Sequence, residues 1–176
     1  MDLASHYLET VRKELGRLKR QGERALAQVE DARLRETLDP EANSVATLVR
    51  HLSGNMLSRW TDFLSSDGEK PDRRRDQEFE EQPGLGRSEL MQAWEQGWQR
   101  LFAALDGLTA SDLLRTVSIR GEAHTVVEAI ERQLTHYACH LGQIVLLAKH
   151  LAGERWQTLS IPRGQSQGVW PYKARG

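Results

Sequence analysis

Two histidines, His136 and His140, stand four residues apart inside the apolar run QLTHYACHLGQIVLLAKHL. On an α-helix that spacing separates two side chains by about 40° of rotation and one turn of rise, so both imidazoles can reach a single metal ion. The pair alone is a weak signal, because six histidines in 176 residues place such a pair by chance in roughly one chain of six. Two histidines on the edge of a core stripe, hydrogen-bonded to their neighbours, account for the spacing equally well. A metal centre needs a third ligand from elsewhere, and His6, His51, His124 and His150 are the candidates.

His51 lies in LVRHLSGNMLSRW, one residue from an apolar helical stripe, with the small Ser53 and Gly54 leaving room beside it. A helical wheel puts it nearer Asn55 and Asp62 than Leu52, on the polar flank of its helix, which fits a site near a bundle mouth better than one in mid-core. His124 precedes a helix cap, His150 lies off the line of the pair and is expected to face solvent, and nothing promotes His6. Asn55 is one turn beyond His51, and Gln143 is about one turn past His140. Arg59 and Arg132 are placed to hold an anionic substrate or a thiol's carboxylate. For each of these four a bundle-edge hydrogen bond or a surface ion pair is the plainer role. Cys139 beside the pair reads as a small buried or half-buried thiol rather than a ligand. No Asp or Glu has the position of an obvious general base. Arg132 and Gln133, not acids, fill the turn before His136, which argues against a carboxylate-bridged di-metal site.

The elements that must position these residues are helices. Residues 3 to 29 carry Leu8, Val11, Leu15, Leu18, Leu26 and Val29 at three- and four-residue steps, weakened by Gly16 and Gly22. Ser44 is a good N-cap for a second helix running to about Leu64, with Val45, Leu48, Val49, Leu52, Met56, Trp60 and Phe63 as its stripe. A third helix is expected after Ser88, through Leu90, Trp94, Trp98, Leu101 and Leu105, ending near Gly107. TVSIR reads as one short strand. Thr125 and Glu128 form a capping box for a fourth helix that runs to Gly153. The polar segment SSDGEKPDRRRDQEFEEQPGLG, within residues 65 to 87, is long for a connection and is expected to cover a site or a partner. The irregular C-terminal tail carries Trp156, Leu159, Ile161 and Trp170, which are expected to dock on the rest of the chain. The whole reads as an all-α four-helix bundle forming one domain over residues 1 to 176.

Composition excludes several partners. Net charge is -1, with 39% hydrophobic and 28% charged residues, so nothing in the balance points to nucleic acid or a membrane surface. The basic clusters from Arg17 to Arg20 and from Arg73 to Arg75 sit among acids and read as solvated faces. There is no apolar run long enough to span a membrane and no signal-peptide pattern, so a cytoplasmic location is expected, in keeping with a single cysteine.

The stretches NSVATLVRHLSGNMLSRWTDFLSSDGEKPDRRRDQEFE, IRGEAHTVVEAIERQLTHYACHLGQIVLLAKHL and LSIPRGQS, with the helix pattern, cover nearly the whole chain. In them the chain resembles the DinB-like superfamily, also called YfiT-like metalloenzymes, and within it a bacterial domain of unknown function. The resemblance implies an up-down-down-up bundle, often a homodimer. It also implies three histidines on one divalent ion: one from the second helix and an H-x-x-x-H pair from the fourth. Here His51, His136 and His140 occupy those positions. Some members of the superfamily are transferases or isomerases that use small thiols such as bacillithiol or mycothiol.

Three imidazoles leave an ion at least one open position, the form of a catalytic zinc site. They suit zinc or nickel first, and iron or copper as well. The expected function is therefore a metal-dependent enzyme acting on a small molecule, with transfer from a low-molecular-weight thiol as the favoured class. The alternative is a dimeric binding or regulatory module whose metal site is structural or vacant.

Overall fold

Each of the four long helices has a local reason to start where it does. The computed structural model describes residues 2–80, 82 and 84–167. Helix α1, Leu3–Leu26, begins where the Asp2 carboxylate accepts the Ser5 N–H. Helix α2, Val45–Trp60, begins where Ser44 Oγ accepts the Thr47 N–H at 3.1 Å. Helix α3, Arg87–Asp106, has Gly86 as its cap, and Glu89 reaches back to the Gly86 N–H. Helix α4, Val126–Ala152, opens on the reciprocal Thr125–Glu128 box and closes at Gly153.

The helices pack in a cycle. Helix α2 runs along α3, α1 runs along α4, and α2–α4 and α1–α3 contacts close the ring. One hydrophobic cluster drawn from all four helices fills the centre, including Leu15, Leu52, Trp94, Trp98, Tyr137 and Ile144. Gly22, a weak point by helix propensity, is required by packing: a Cβ there would stand 2.8 Å from the Trp94 ring. Trp94 and Trp98 are core residues, their rings 5.5 Å apart. Trp156 and Leu159 pack against the core as expected, Ile161 is exposed, and Trp170 lies outside the described residues. Among the described residues, no helix is long and apolar enough to cross a membrane.

The chain is mostly helical rather than wholly so. Strand β1, Thr116–Ile119, pairs antiparallel with β2, Glu122–Thr125, in the register Val117 to His124 and Ser118 to Ala123. Arg120 and Gly121 both take positive φ, 57° and 76°, the backbone of a two-residue hairpin turn that matches strand twist. Only the first strand shows in the sequence, through its buried Val117 and Ile119; EAHT has too few apolar residues to announce its partner.

This hairpin anchors the connection between α2 and α3. Asp67 accepts from the Arg120 N–H at 2.9 Å, the Gly121 N–H at 2.8 Å and the Ser118 hydroxyl at 2.5 Å. The Gly68 N–H donates to the Ser118 carbonyl at 2.8 Å. From the other side Ser58 on α2 donates to the Gly68 carbonyl and accepts from the Lys70 N–H. Arg50, also on α2, donates to the carbonyls of Gln77 and Glu80. Residues 67 to 80 are thus strapped across α2 at several points, although they contain only one short 3-10 turn, Asp76–Glu78.

Candidate metal centre

His51 comes from the middle of α2, and His136 and His140 from the middle of α4. Their ring nitrogens converge: one ligand atom from each lies within 4.8 Å of the others. The Nε2 atoms of His51 and His136 are 3.2 Å apart. Two nitrogens each bonded at about 2.0–2.1 Å to a tetrahedral ion stand about 3.3–3.4 Å apart, so this pair already has ligand spacing. The His140 ring stands 4.9 Å from that of His51 and 4.7 Å from that of His136, nearly perpendicular to both. The three side chains therefore fit a divalent ion on geometry as well as on donor type.

Two of the three rings are held from behind; the buried Nδ1 of His136 has no partner among the described residues. His51 Nδ1 is 2.9 Å from Glu78 Oε2, which fixes Nδ1 as the protonated nitrogen and leaves Nε2 for the cluster. His140 Nδ1 is 2.8 Å from Gln143 Oε1, with the same consequence. Glu78 is itself fixed by Arg73, whose Nε and Nη2 each donate to its carboxylate at 2.8 Å. Gly54 makes room for this group, since a Cβ there would stand 2.8 Å from Glu78 Cδ. Further along the helices, Trp60 Nε1 donates to Tyr137 Oη at 2.9 Å, and the Tyr137 hydroxyl donates to Asn55 Oδ1 at 3.0 Å. That buried chain ties α2 to α4 beside the histidines and sets their register.

The electrostatics favour neutral imidazoles at His136 and His140. Burial, reinforced by His140, His51 and Arg59, pulls the His136 pKa down to about 3, and burial lowers His140 as well. Burial alone would raise Glu78, but its bonds from His51 and Arg73 outweigh that and hold the carboxyl below its usual value. A consequence follows for the metal-free protein. An unfolded chain binds a proton at His136 near its ordinary value of 6.5, whereas the folded chain does so only near 3. Stability is therefore expected to fall as pH drops from about 7 towards about 4. Urea midpoints of chelator-treated protein should show this decline, and His136→Gln should make it shallower. An equally steep decline in the variant would contradict the assignment.

The histidines open onto a cavity of about 510 Å³. Asn55, Arg59 and Arg132 line it, as their sequence positions suggested, and Gln143 bonds His140. His6 and His150 are exposed, and His124 sits in β2, so none joins the cluster. Three expectations need correction. The polar flank of His51 predicts a place near a bundle mouth, yet it is only 4% exposed, because the α2–α3 connection folds over it and Phe79 packs 4.9 Å from its ring. The charge pattern predicts a solvated basic face for Arg73, but its side chain is 5% exposed and paired with Glu69 and Glu78. Cys139, expected from the sequence to be a buried or half-buried thiol, is exposed, on the outward side of α4 between the two inward histidines. Sequence reasoning missed Glu78 and Arg73 altogether. Two signals pointed towards them: the length of the 65 to 87 connection, expected to cover a site or a partner, and Gly54, a small residue three positions past His51, which marks where another chain segment must approach.

Residues 2–165 match the family described as Protein of unknown function (DUF1572). The chain belongs to that family. All three histidines, Glu78 and Arg73 lie inside the matched span, so the site is part of what the DUF1572 match covers. No curated protein matches the chain significantly.

Proposed function

We propose that this DUF1572 chain is a metal-dependent enzyme that holds one divalent ion on His51, His136 and His140 and transfers a small thiol to an electrophilic substrate. The observation that carries the reading is the convergence of three imidazoles, two of them oriented by Glu78 and Gln143, beside an open cavity. Among the described residues no fourth His, Cys, Asp or Glu joins the group, which leaves a coordination position for a ligand from solution. A bound ion would supply Lewis acidity, making a thiol acidic enough to react as thiolate near neutral pH.

The chain's own residues supply the rest. Glu78, locked by Arg73, keeps the His51 proton on Nδ1. Phe79 and the strapped connection keep bulk water off the His51 side of the site. The arginines of the cavity wall orient an anionic part of the reactants. In the transfer a sulfur–carbon bond forms, the bond from that carbon to its leaving group breaks, the leaving group takes the electron pair, and the thiol proton passes to water. The resemblance to DinB-like proteins supports the thiol class, and with it an up-down-down-up, homodimeric, single-domain bundle.

A small thiol such as cysteine, titrated into cobalt-loaded protein, tests the reading. The visible and near-ultraviolet absorption is expected to change saturably, and not to change when serine replaces cysteine. An unaltered spectrum, or an equal response to serine, contradicts the thiol reading.

A further inference from the structure

Five guanidinium groups, from Arg59, Arg73, Arg75, Arg120 and Arg132, line the cavity that holds the three histidines, and among the described residues no carboxylate lines it. Two of the acids that answer them, Glu69 and Glu78, are already shared. Glu69 accepts from Arg73 at 3.1 Å, Arg59 at 3.3 Å and Arg120 at 3.0 Å. Glu78 is divided between Arg73 and His51. Arg75 faces the exposed Asp76 at 3.6 Å. Arg132 has no ion-pair partner among the described residues. A divalent ion on the histidines would add to this excess of positive charge.

Arg59 sharpens the point. It is 3% exposed, lines the cavity, and two of its nitrogens, Nε and Nη1, have no hydrogen-bond partner. A buried guanidinium with only a shared counter-ion is costly unless something anionic completes it. Burial lowers the Arg59 pKa, which fits a cation short of negative charge. Gln133, also 3% exposed and lining the cavity, leaves its Oε1 without a partner, so the wall offers an acceptor as well.

We infer that this cavity binds a small molecule through an anionic group, a carboxylate or a phosphate, seated on Arg59, Arg120 and Arg132, with an adjoining O–H or N–H donated to Gln133. The inference rests on the metal reading only for the other end of the ligand, which would meet the ion. The substrate or thiol is then an anion with two points of attachment, and a neutral analogue lacks one of them.

Inorganic phosphate and acetate, titrated by calorimetry into chelator-treated and into metal-loaded protein, test it. At least one anion is expected to bind the metal-free protein, and the tighter of the two names the group. Its affinity should fall about tenfold or more in Arg132→Ala, the loss expected for one charge-assisted contact. Arg132 is exposed, so that variant is expected to fold; Arg120→Ala gives a second reading on the same wall. Binding to the metal-loaded protein alone, no binding at all, or equal binding in both variants overturns the inference. Anion binding by metal-free protein that never takes up a metal supports the inference while removing the metal reading, so the two fail separately.

Discussion

Glu78→Ala is expected to weaken metal binding about 10–100-fold while leaving all three histidines in place. The carboxylate is 2.9 Å from His51 Nδ1, and without it the His51 ring loses both its fixed tautomer and its fixed rotation. Phe79 still packs against the ring, so His51 does not leave the site, but it no longer presents Nε2 by default. Glu78→Gln keeps an acceptor for the Nδ1 proton and loses the charge, so its effect should be smaller. Gly54→Ala should resemble Glu78→Ala rather than a helix-stabilising glycine replacement. The added methyl occupies the place of the Glu78 carboxylate, which two Arg73 bonds prevent from stepping aside. Competition with a chromogenic chelator measures all three affinities. Wild-type affinity in both Glu78→Ala and Gly54→Ala would mean that the Glu78 contact has no part in metal binding.

Arg73→Ala is expected to cost the metal-free protein about 3–5 kcal/mol, the loss seen when one partner of a buried ion pair is removed. Arg73 is 5% exposed in its side chain, and it is the main counter-ion of Glu78, which is 11% exposed. Its removal leaves Glu78 buried with only His51 for company and takes one of three arginines from Glu69. The double change Arg73→Ala with Glu78→Gln removes the stranded charge and should recover part of the loss. Urea denaturation measures both. A loss under about 1 kcal/mol would put Arg73 with exposed ion pairs, where such small values are usual.

How far the sequence foretells this molecule depends on whether a residue's role is local. Ser44 and the Thr125–Glu128 pair announce their helices because capping is decided within three residues. The helix stripes announce the core, and the four-residue spacing of His136 and His140 makes them neighbours on any helix. His51 is different. Its approach to α4 is a tertiary event, and spacing alone left four candidates; the resemblance singled it out, and the structure brings it to the pair. Glu78 and Arg73 are less legible still. They sit in a polar segment without periodicity, where a run such as DRRRDQEFE looks like a solvated surface. Nothing local shows that Arg50, Ser58 and Asp67 strap that segment across α2. Cys139 misleads for the opposite reason: its apolar neighbourhood in sequence suggests burial, but two positions on a helix after an inward residue is the outward face.

Metal analysis of protein prepared without a polyhistidine tag, after exposure to zinc and to nickel, tests the central claim most directly. His51→Ala, His136→Ala and His140→Ala belong in the same measurement. About one ion per chain is expected in the wild type, with each variant losing most of it. A wild type that takes up neither ion, with variants that differ only in stability, would contradict the account and leave three core histidines beside a cationic cavity.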